Sequence, residues 1–318
     1  METLSYAPVV IPTLNRYDHF KRCLESLEKC SGANKTDVYV GLDYPPSEKY
    51  VEGWKKIDKY LNEKSRLNGF RNLFIRKRDY NCGVGHSGGN ASLLVAEIKE
   101  NTDRYIFTED DNEFSPLFLE FMNQGLEIYK DNPKVTAICG YNPPIDMSDY
   151  SYNIYASYGH SGWGCGNWST TQFEFKTKEI DRLLRKFKVL WKVYKRSPNL
   201  VFVLINMLSK KQIWGDTCIP FYNIVYDRFC IFPKTSFVRN WGHDGSGVHC
   251  GKGSDLKFIN QEINSDKSFV YDSIVIEETK SKAVRDYILK SYDLKKRIRL
   301  FYCIIKYYMS PTRKHESE

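Results

Sequence analysis

Three carboxylates in a row, Glu109, Asp110 and Asp111, stand in the stretch YIFTEDDNEFSPLFLEF, directly behind an apolar run. Adjacent acids repel one another, so their gathering at the end of a buried segment needs a cause. One cause is an acidic, solvated turn that precedes a helix, where negative charge is favoured. The other is chemical. Carboxylates at a strand end hold a hard divalent cation shared with phosphate oxygens, and one or two suffice when a diphosphate supplies further ligands. Other reactive types fall at comparable places: Thr13, Asn15 and Arg16 after VVIP, Asp43 after VYVGL, and Arg78 with Asp79 after LFIRK. Far downstream lie Asp216, in IWGDTCIPFYN, and the segment HDGSGVHC with His249. The His, Asp and Cys of that segment have no common zinc spacing. A glycine-hinged loop over a phosphate, with His249 as a phosphate or metal partner, suits them better.

The elements that must position these residues are legible in the pattern. APVVIPT, DVYVGLDYP, RNLFIRKRD, RYIFTEDD and KVTAICGYN read as strands. Between them, YDHFKRCLESLEKCSG places Phe20, Cys23, Leu24 and Leu27 on one helical face, with Gly32 as a stop. GWKKIDKYLNEK and the glycine-opened GGNASLLVAEIKEN read as further helices. Ser115 looks like an N-cap, with Pro116 at the first helical position and the helix running to about Lys130. Such alternation predicts an α/β fold, a mostly parallel sheet with helices on both faces. Ligands of such sheets sit at the carboxyl ends of the strands, where the residues named above converge.

The second half departs from this alternation. It opens with a Gly/Trp/Tyr-rich region, Tyr150 to Trp168, followed by the strongly basic helical stretch EIDRLLRKFKVLWKVYKRSPNLVFVLINMLSKK. Trp163 and Trp168, set among glycines, are candidate platforms for an acceptor sugar, against the alternative of core packing. The expected organisation is one continuous catalytic domain over residues 1–255, with a donor half of about 1–145 and an acceptor half of about 146–255. A basic helical extension follows at 256–318.

The chain of 318 residues carries a formal charge of +8, which suits an anionic partner: a phosphorylated ligand, a nucleic acid or an anionic membrane. No zinc finger or RNA-binding aromatic motif supports the nucleic acid. RLLRKFKVLWKVYKR and LKKRIRLFYCIIKYYMSPTRK mix cations with large apolar residues and read either as helices lying on an anionic membrane or as ordinary solvated basic faces. Nine scattered Cys without paired spacing, and an opening without a signal-like stretch, point to the cytoplasm, with a peripheral place on the inner face of the membrane.

Several segments also carry a resemblance. VVIPTLNR, GLDYP, NCGVGHSGGNASLL, YIFTEDDNEFSPLFLEF and TAICGYN occur in the order seen in glycosyltransferases of GT-A fold. The match is to the N-acetylglucosaminyltransferase I type and to family 2-like bacterial transferases. SGWGCGNWS, IWGDTCIPFYN and CIFPKTSFVRNWGHDGSGVH extend it, so that it covers roughly Pro8 to Gly251. The resemblance implies that Pro12, Thr13 and Arg16 line a nucleotide pocket and that Asp43 accepts the uracil N–H. It puts His86 near the diphosphate, Glu109 and Asp110 near ribose and sugar, and Asp111 on Mn2+ or Mg2+. Asp216 matches the general base, and residues 245–249 a loop that closes on the donor. Where the family has an acid pair, this chain has Gly215-Asp216.

Together these readings give an inverting, metal-dependent glycosyltransferase. It moves a sugar from a nucleotide sugar, a UDP-sugar first, to a glycan or lipid-linked glycan, as in capsule or lipopolysaccharide synthesis. The alternatives are a sugar nucleotidyltransferase and an inactive nucleotide-sugar or carbohydrate binder. The first would need a glycine-rich, basic loop that PTLNRYDHF lacks. The second is disfavoured by the retention of every acid.

Overall fold

The computed structural model describes residues 6–85, 88–170, 175–245, 256–289 and 294–309. The first half runs β1 (Val9–Thr13), α1 (Tyr17–Glu28), β2 (Asp37–Leu42), α2 (Glu48–Lys64), β3 (Asn72–Lys77), α3 (Asn90–Lys99) and β4 (Arg104–Phe107). Then come β5 (Asn112–Phe114), α4 (Phe118–Ile128), β6 (Val135–Cys139), β7 (Ile154–Ser157) and β8 (Cys165–Trp168). A helical block follows: α5 (Thr177–Leu184), α6 (Phe187–Arg196), α7 (Pro198–Ser209) and α8 (Gly215–Tyr226). The chain returns through β9 (Phe229–Pro233) and β10 (Val238–Asn240), and its described part ends with α9 (Leu256–Ile259), α10 (Lys282–Leu289) and α11 (Leu294–Met309).

Eight strands form one sheet in the order β3-β2-β1-β4-β8-β6-β9-β7. β3, β2, β1 and β4 pair in parallel, as do β6 and β9, while β8 and β7 run against their neighbours. The predicted α/β architecture, a mostly parallel sheet flanked by helices, is therefore present. The Val9–Ile11 run of β1 is apolar because helices cover both of its faces: Val9 and Ile11 belong to one core cluster and Val10 to another, on the α3 side. α1 buries the four residues expected of it, Phe20, Cys23, Leu24 and Leu27. With all four in strand order and parallel, β1, β2, β3 and β4 bring their carboxyl ends to one edge.

Two details differ from the sequence reading, and both bear on that edge. The segment after the acids does not enter a helix at Pro116. It first forms β5, which pairs antiparallel with β10 in a separate two-stranded sheet (Asn112 opposite Asn240, Glu113 opposite Arg239). The backbone N–H of Leu117 donates to Ser115 Oγ (3.3 Å), and the helix begins at Phe118. The basic stretch after Glu179 is three helices, broken where Pro198 opens α7 behind Ser197, whose Oγ accepts from Leu200 N–H.

Between residues 260 and 281 the chain forms neither helix nor strand. It packs back on α4: the Tyr271 hydroxyl donates to the Phe121 carbonyl (2.8 Å), and the two rings stack at 5.0 Å. The eight described Cys are all free thiols.

Candidate active site

The parallel edge collects charge. Thr13, the last residue of β1, donates its hydroxyl to Asp110 Oδ2 (2.8 Å). Arg16, immediately before α1, donates Nη1 to Asp111 Oδ2 (2.7 Å) and Nη2 to Asp110 Oδ1. Asp110 and Asp111 are nearly inaccessible, at 6% and 5% exposure, so the guanidinium is what makes two buried carboxylates tolerable. Burial works against the Arg16 charge, but Asp110 and Asp111 outweigh it and hold the side chain more firmly protonated. Burial pushes the Asp110 carboxyl upward, and Arg16 offsets that while Asp111 adds to it. Burial first, then the charges of Asp111, Asp216 and Asp110, push the Glu109 carboxyl upward, and Arg16 offsets this only in part.

The β5–β10 pair closes the edge from the far side. Asn240 Nδ2 donates to Asp111 Oδ1 (2.7 Å) and to Asn112 Oδ1 (2.9 Å), and Trp241 N–H donates to the Asp111 carbonyl (2.9 Å). A Cβ on Gly242 would lie 2.2 Å from Asp111 Oδ2, so only glycine lets this backbone pass beside the carboxylate.

Asp216 sits in the first turn of α8, a position that favours an anion. Its side chain is 78% exposed, in contrast to Asp110 and Asp111. Gly162 links it to the strand end: a Cβ there would lie 3.6 Å from Asp216 Oδ1 and 3.9 Å from the Phe107 ring at the end of β4. Behind Asp216 lies His160, whose side chain is 7% exposed and whose Nδ1 is 3.5 Å from Asp216 Oδ1. Its Nε2 is 3.3 Å from Cys165 Sγ. The contact with His160 draws the Asp216 carboxyl below its usual range despite partial burial. Burial alone would lower the His160 imidazole, but Asp216 reverses this and raises it.

The remaining predicted residues distribute unevenly. Pro12 and Thr13 end β1 beside Arg16, at the acids. Asp43 is buried and fully used. Its Oδ1 accepts from the N–H groups of Tyr44 (2.9 Å) and Cys82 (2.8 Å), and its Oδ2 from Gly83 N–H (2.9 Å) and Asn81 Nδ2 (3.2 Å). Four donors fill a carboxylate, so here Asp43 shapes the 81–83 loop rather than presenting an open acceptor. Trp168 is not a sugar platform: it is a core residue of β8, 7% exposed, with Nε1–H donating to the Leu126 carbonyl (3.2 Å). Strand alternation turned it inward. Trp163 is half-buried, its ring edge-on to Tyr141 (4.6 Å) and to His243 (5.5 Å). His86 and His249 lie outside the described residues, as does most of the 245–249 loop.

Among the described residues no group of three or more His, Cys, Asp or Glu side chains is arranged to enclose a metal ion. Asp111 nonetheless offers a hard oxygen donor, with Gly242 leaving space beside Oδ2. This donor set fits Mg2+ or Mn2+ arriving with a diphosphate, and does not fit a resident all-protein site.

No family model matches this chain, and no curated protein matches it. Among solved structures it aligns with the mannosyltransferase PcManGT from Pyrobaculum calidifontis, in complex with GDP-Man and Mn2+. The identity is 12% over 70% of each chain, with a TM-score of 0.39. It also aligns with S. aureus TarS at 14% identity, covering 56% of this chain and 30% of TarS, with a TM-score of 0.34. Against TarS 1-349 the identity is 13%, the coverage 56% and 49%, and the TM-score 0.34. Likeness of this size says nothing about activity or ligand.

Two residues of the site escaped the sequence reading. Asn240 stands in SFVRNWGHDG with no local mark of its role, since only the β5–β10 register brings it to Asp111. His160 did leave a signal. It lies two residues ahead of Gly162 in YGHSGWGC, in the glycine-rich region already marked for the acceptor side.

Proposed function

We propose that this protein is an inverting glycosyltransferase of GT-A type, using a nucleotide sugar, a UDP-sugar first, and a glycan or lipid-linked glycan acceptor of surface polysaccharide synthesis. The observation that carries the reading is the juxtaposition at one sheet edge. A buried acid pair is held by Thr13 and Arg16. A separate exposed acid, Asp216, stands beside Gly162, which also adjoins Phe107 at the end of β4.

Asp216 is the general base: ionised and open to solvent, it takes the proton of the acceptor hydroxyl as that oxygen bonds to the anomeric carbon. The bond from that carbon to the donor diphosphate breaks as the new one forms, and with no covalent intermediate the configuration inverts. His160 orients the Asp216 carboxylate and favours its charged form. Glu109 faces the donor sugar, while Asp110 and Thr13 face the ribose. Asp111 would hold Mn2+ or Mg2+, which when bound neutralises charge on the leaving diphosphate. Arg16 brings a cation to the same place.

The test is transfer from a panel of nucleotide sugars to glycan acceptors, with and without Mn2+, reading product linkage by NMR. Inverted anomeric configuration and loss of transfer in EDTA are expected. A retained configuration refutes the mechanism. Pyrophosphate release from a nucleoside triphosphate and a sugar 1-phosphate replaces the reading with nucleotidyl transfer.

A further inference from the structure

Helix α11 has two apolar faces, and the protein covers only one of them. Toward the body, Leu300 and Tyr307 are buried, and the Tyr307 hydroxyl reaches the Asp181 carboxylate of α5 (2.5 Å). On the opposite side Ile298, Phe301, Tyr302, Ile305 and Met309 follow a spacing of three to four residues and form one continuous stripe. That stripe is open to solvent: Phe301 and Tyr302 are each 66% exposed, and Ile298 64%. One exposed apolar residue needs no explanation, but a row of five along a helix of 16 residues (about 24 Å) marks a surface that meets something.

The charges beside the stripe say what it meets. Lys295 and Arg299 fall along one flank by helical spacing, and the helix contains no acidic residue. α6 repeats the composition. Phe187 and Trp191, one turn apart, are both exposed, and Lys188 and Lys195 accompany them, while Lys192 is turned to Asp227 (2.5 Å). Both helices pack on α7. No described helix is long and apolar enough to cross a membrane.

We propose that the outer face of α11, with Phe187 and Trp191 of α6 as a second contact, seats this protein on the surface of an anionic lipid bilayer. The aromatic and aliphatic stripe enters the headgroup boundary while the flanking cations meet lipid phosphates. A second copy of the chain is the poorer occupant, because pairing two such stripes would bring Lys295 and Arg299 of one acid-free helix against those of another. The proposal is independent of the transfer reaction.

Co-sedimentation of the full chain with vesicles tests it. Vesicles of phosphatidylcholine with 30% phosphatidylglycerol (about one anionic lipid in three) are compared with phosphatidylcholine alone, at low and high salt. The chain is expected to bind the anionic vesicles at least about tenfold more strongly, and salt to weaken that binding. Replacing Phe301→Ser, Tyr302→Ser and Ile305→Ser together removes exposed side chains only. It is expected to reduce binding by more than about tenfold with an unchanged melting temperature. Lys295→Glu with Arg299→Glu is expected to abolish the preference for anionic lipid. Equal binding by the serine variant, or no preference for phosphatidylglycerol, overturns the proposal. So does a wild-type dimer in sedimentation velocity that the serine variant converts to monomer.

Discussion

Asp110 and Asp216 are the same residue type at the same sheet edge, and their surroundings are opposites. Asp110, with Asp111 beside it, is buried and bound to Thr13 and Arg16, its charge answered inside the protein. Asp216 is exposed and has one long contact, with His160. The difference separates two kinds of work. A carboxylate that must manage charge on a bound diphosphate can be kept in place by permanent partners. A base that must collect a proton from an incoming hydroxyl needs an open lone pair and a charge that survives at neutral pH.

Removing the open acid breaks the contrast most sharply. Asp216→Asn is expected to lower kcat by about 10²- to 10⁴-fold with donor affinity unchanged, since only the proton acceptor is lost. Steady-state kinetics beside calorimetric titration of donor separates the two. Unchanged kcat moves the base elsewhere.

Arg16→Ala attacks the closed side. It leaves two buried carboxylates without their cation and is expected to cost about 3 kcal/mol of stability. The sign of the pH dependence follows from the proton balance. Burial already holds the Asp110 carboxyl above its unfolded value and Arg16 offsets part of this, so without Arg16 it sits higher still and the folded state binds more protons than the unfolded one. Stability then falls as pH rises, and the loss measured by urea denaturation is larger at pH 8 than at pH 4. A pH-independent loss would mean that Arg16 supports the fold through packing alone.

The smallest effect is expected from His160→Gln. His160 holds the Asp216 carboxyl below its usual range, so removing it moves the acid limb of kcat to higher pH. At neutral pH, where Asp216 stays ionised either way, kcat changes by less than about tenfold. An acid limb that does not move denies His160 its orienting part.

Much of this edge was legible because a parallel sheet puts its strand ends together, so that Thr13, Arg16 and the acids could be assigned to one place before any coordinate. Asn240 could not. Strands of three residues, Asn112–Phe114 and Val238–Asn240, carry too little alternation to announce a pairing across more than a hundred residues. Trp168 misled for the reverse reason. A tryptophan among glycines looks like a platform, but the face it shows depends on the register of β8 against β4, where it lies opposite Arg104. The long basic stretch hid three helices because cations and apolar residues keep their rhythm across Lys186 and Ser197, where the backbone turns.

The β5–β10 pairing also bears on how the protein comes into being. Arg16 precedes the acids in the chain and can neutralise them as soon as β1 and β4 have met. Asn240 and Gly242 leave the ribosome more than a hundred residues after Asp111, at synthesis rates of about 5–20 residues per second. A nascent chain that ends before β10 can therefore hold its acid pair in check yet lacks the far wall of the site. The surroundings of Asp111 are completed only once β10 has been made.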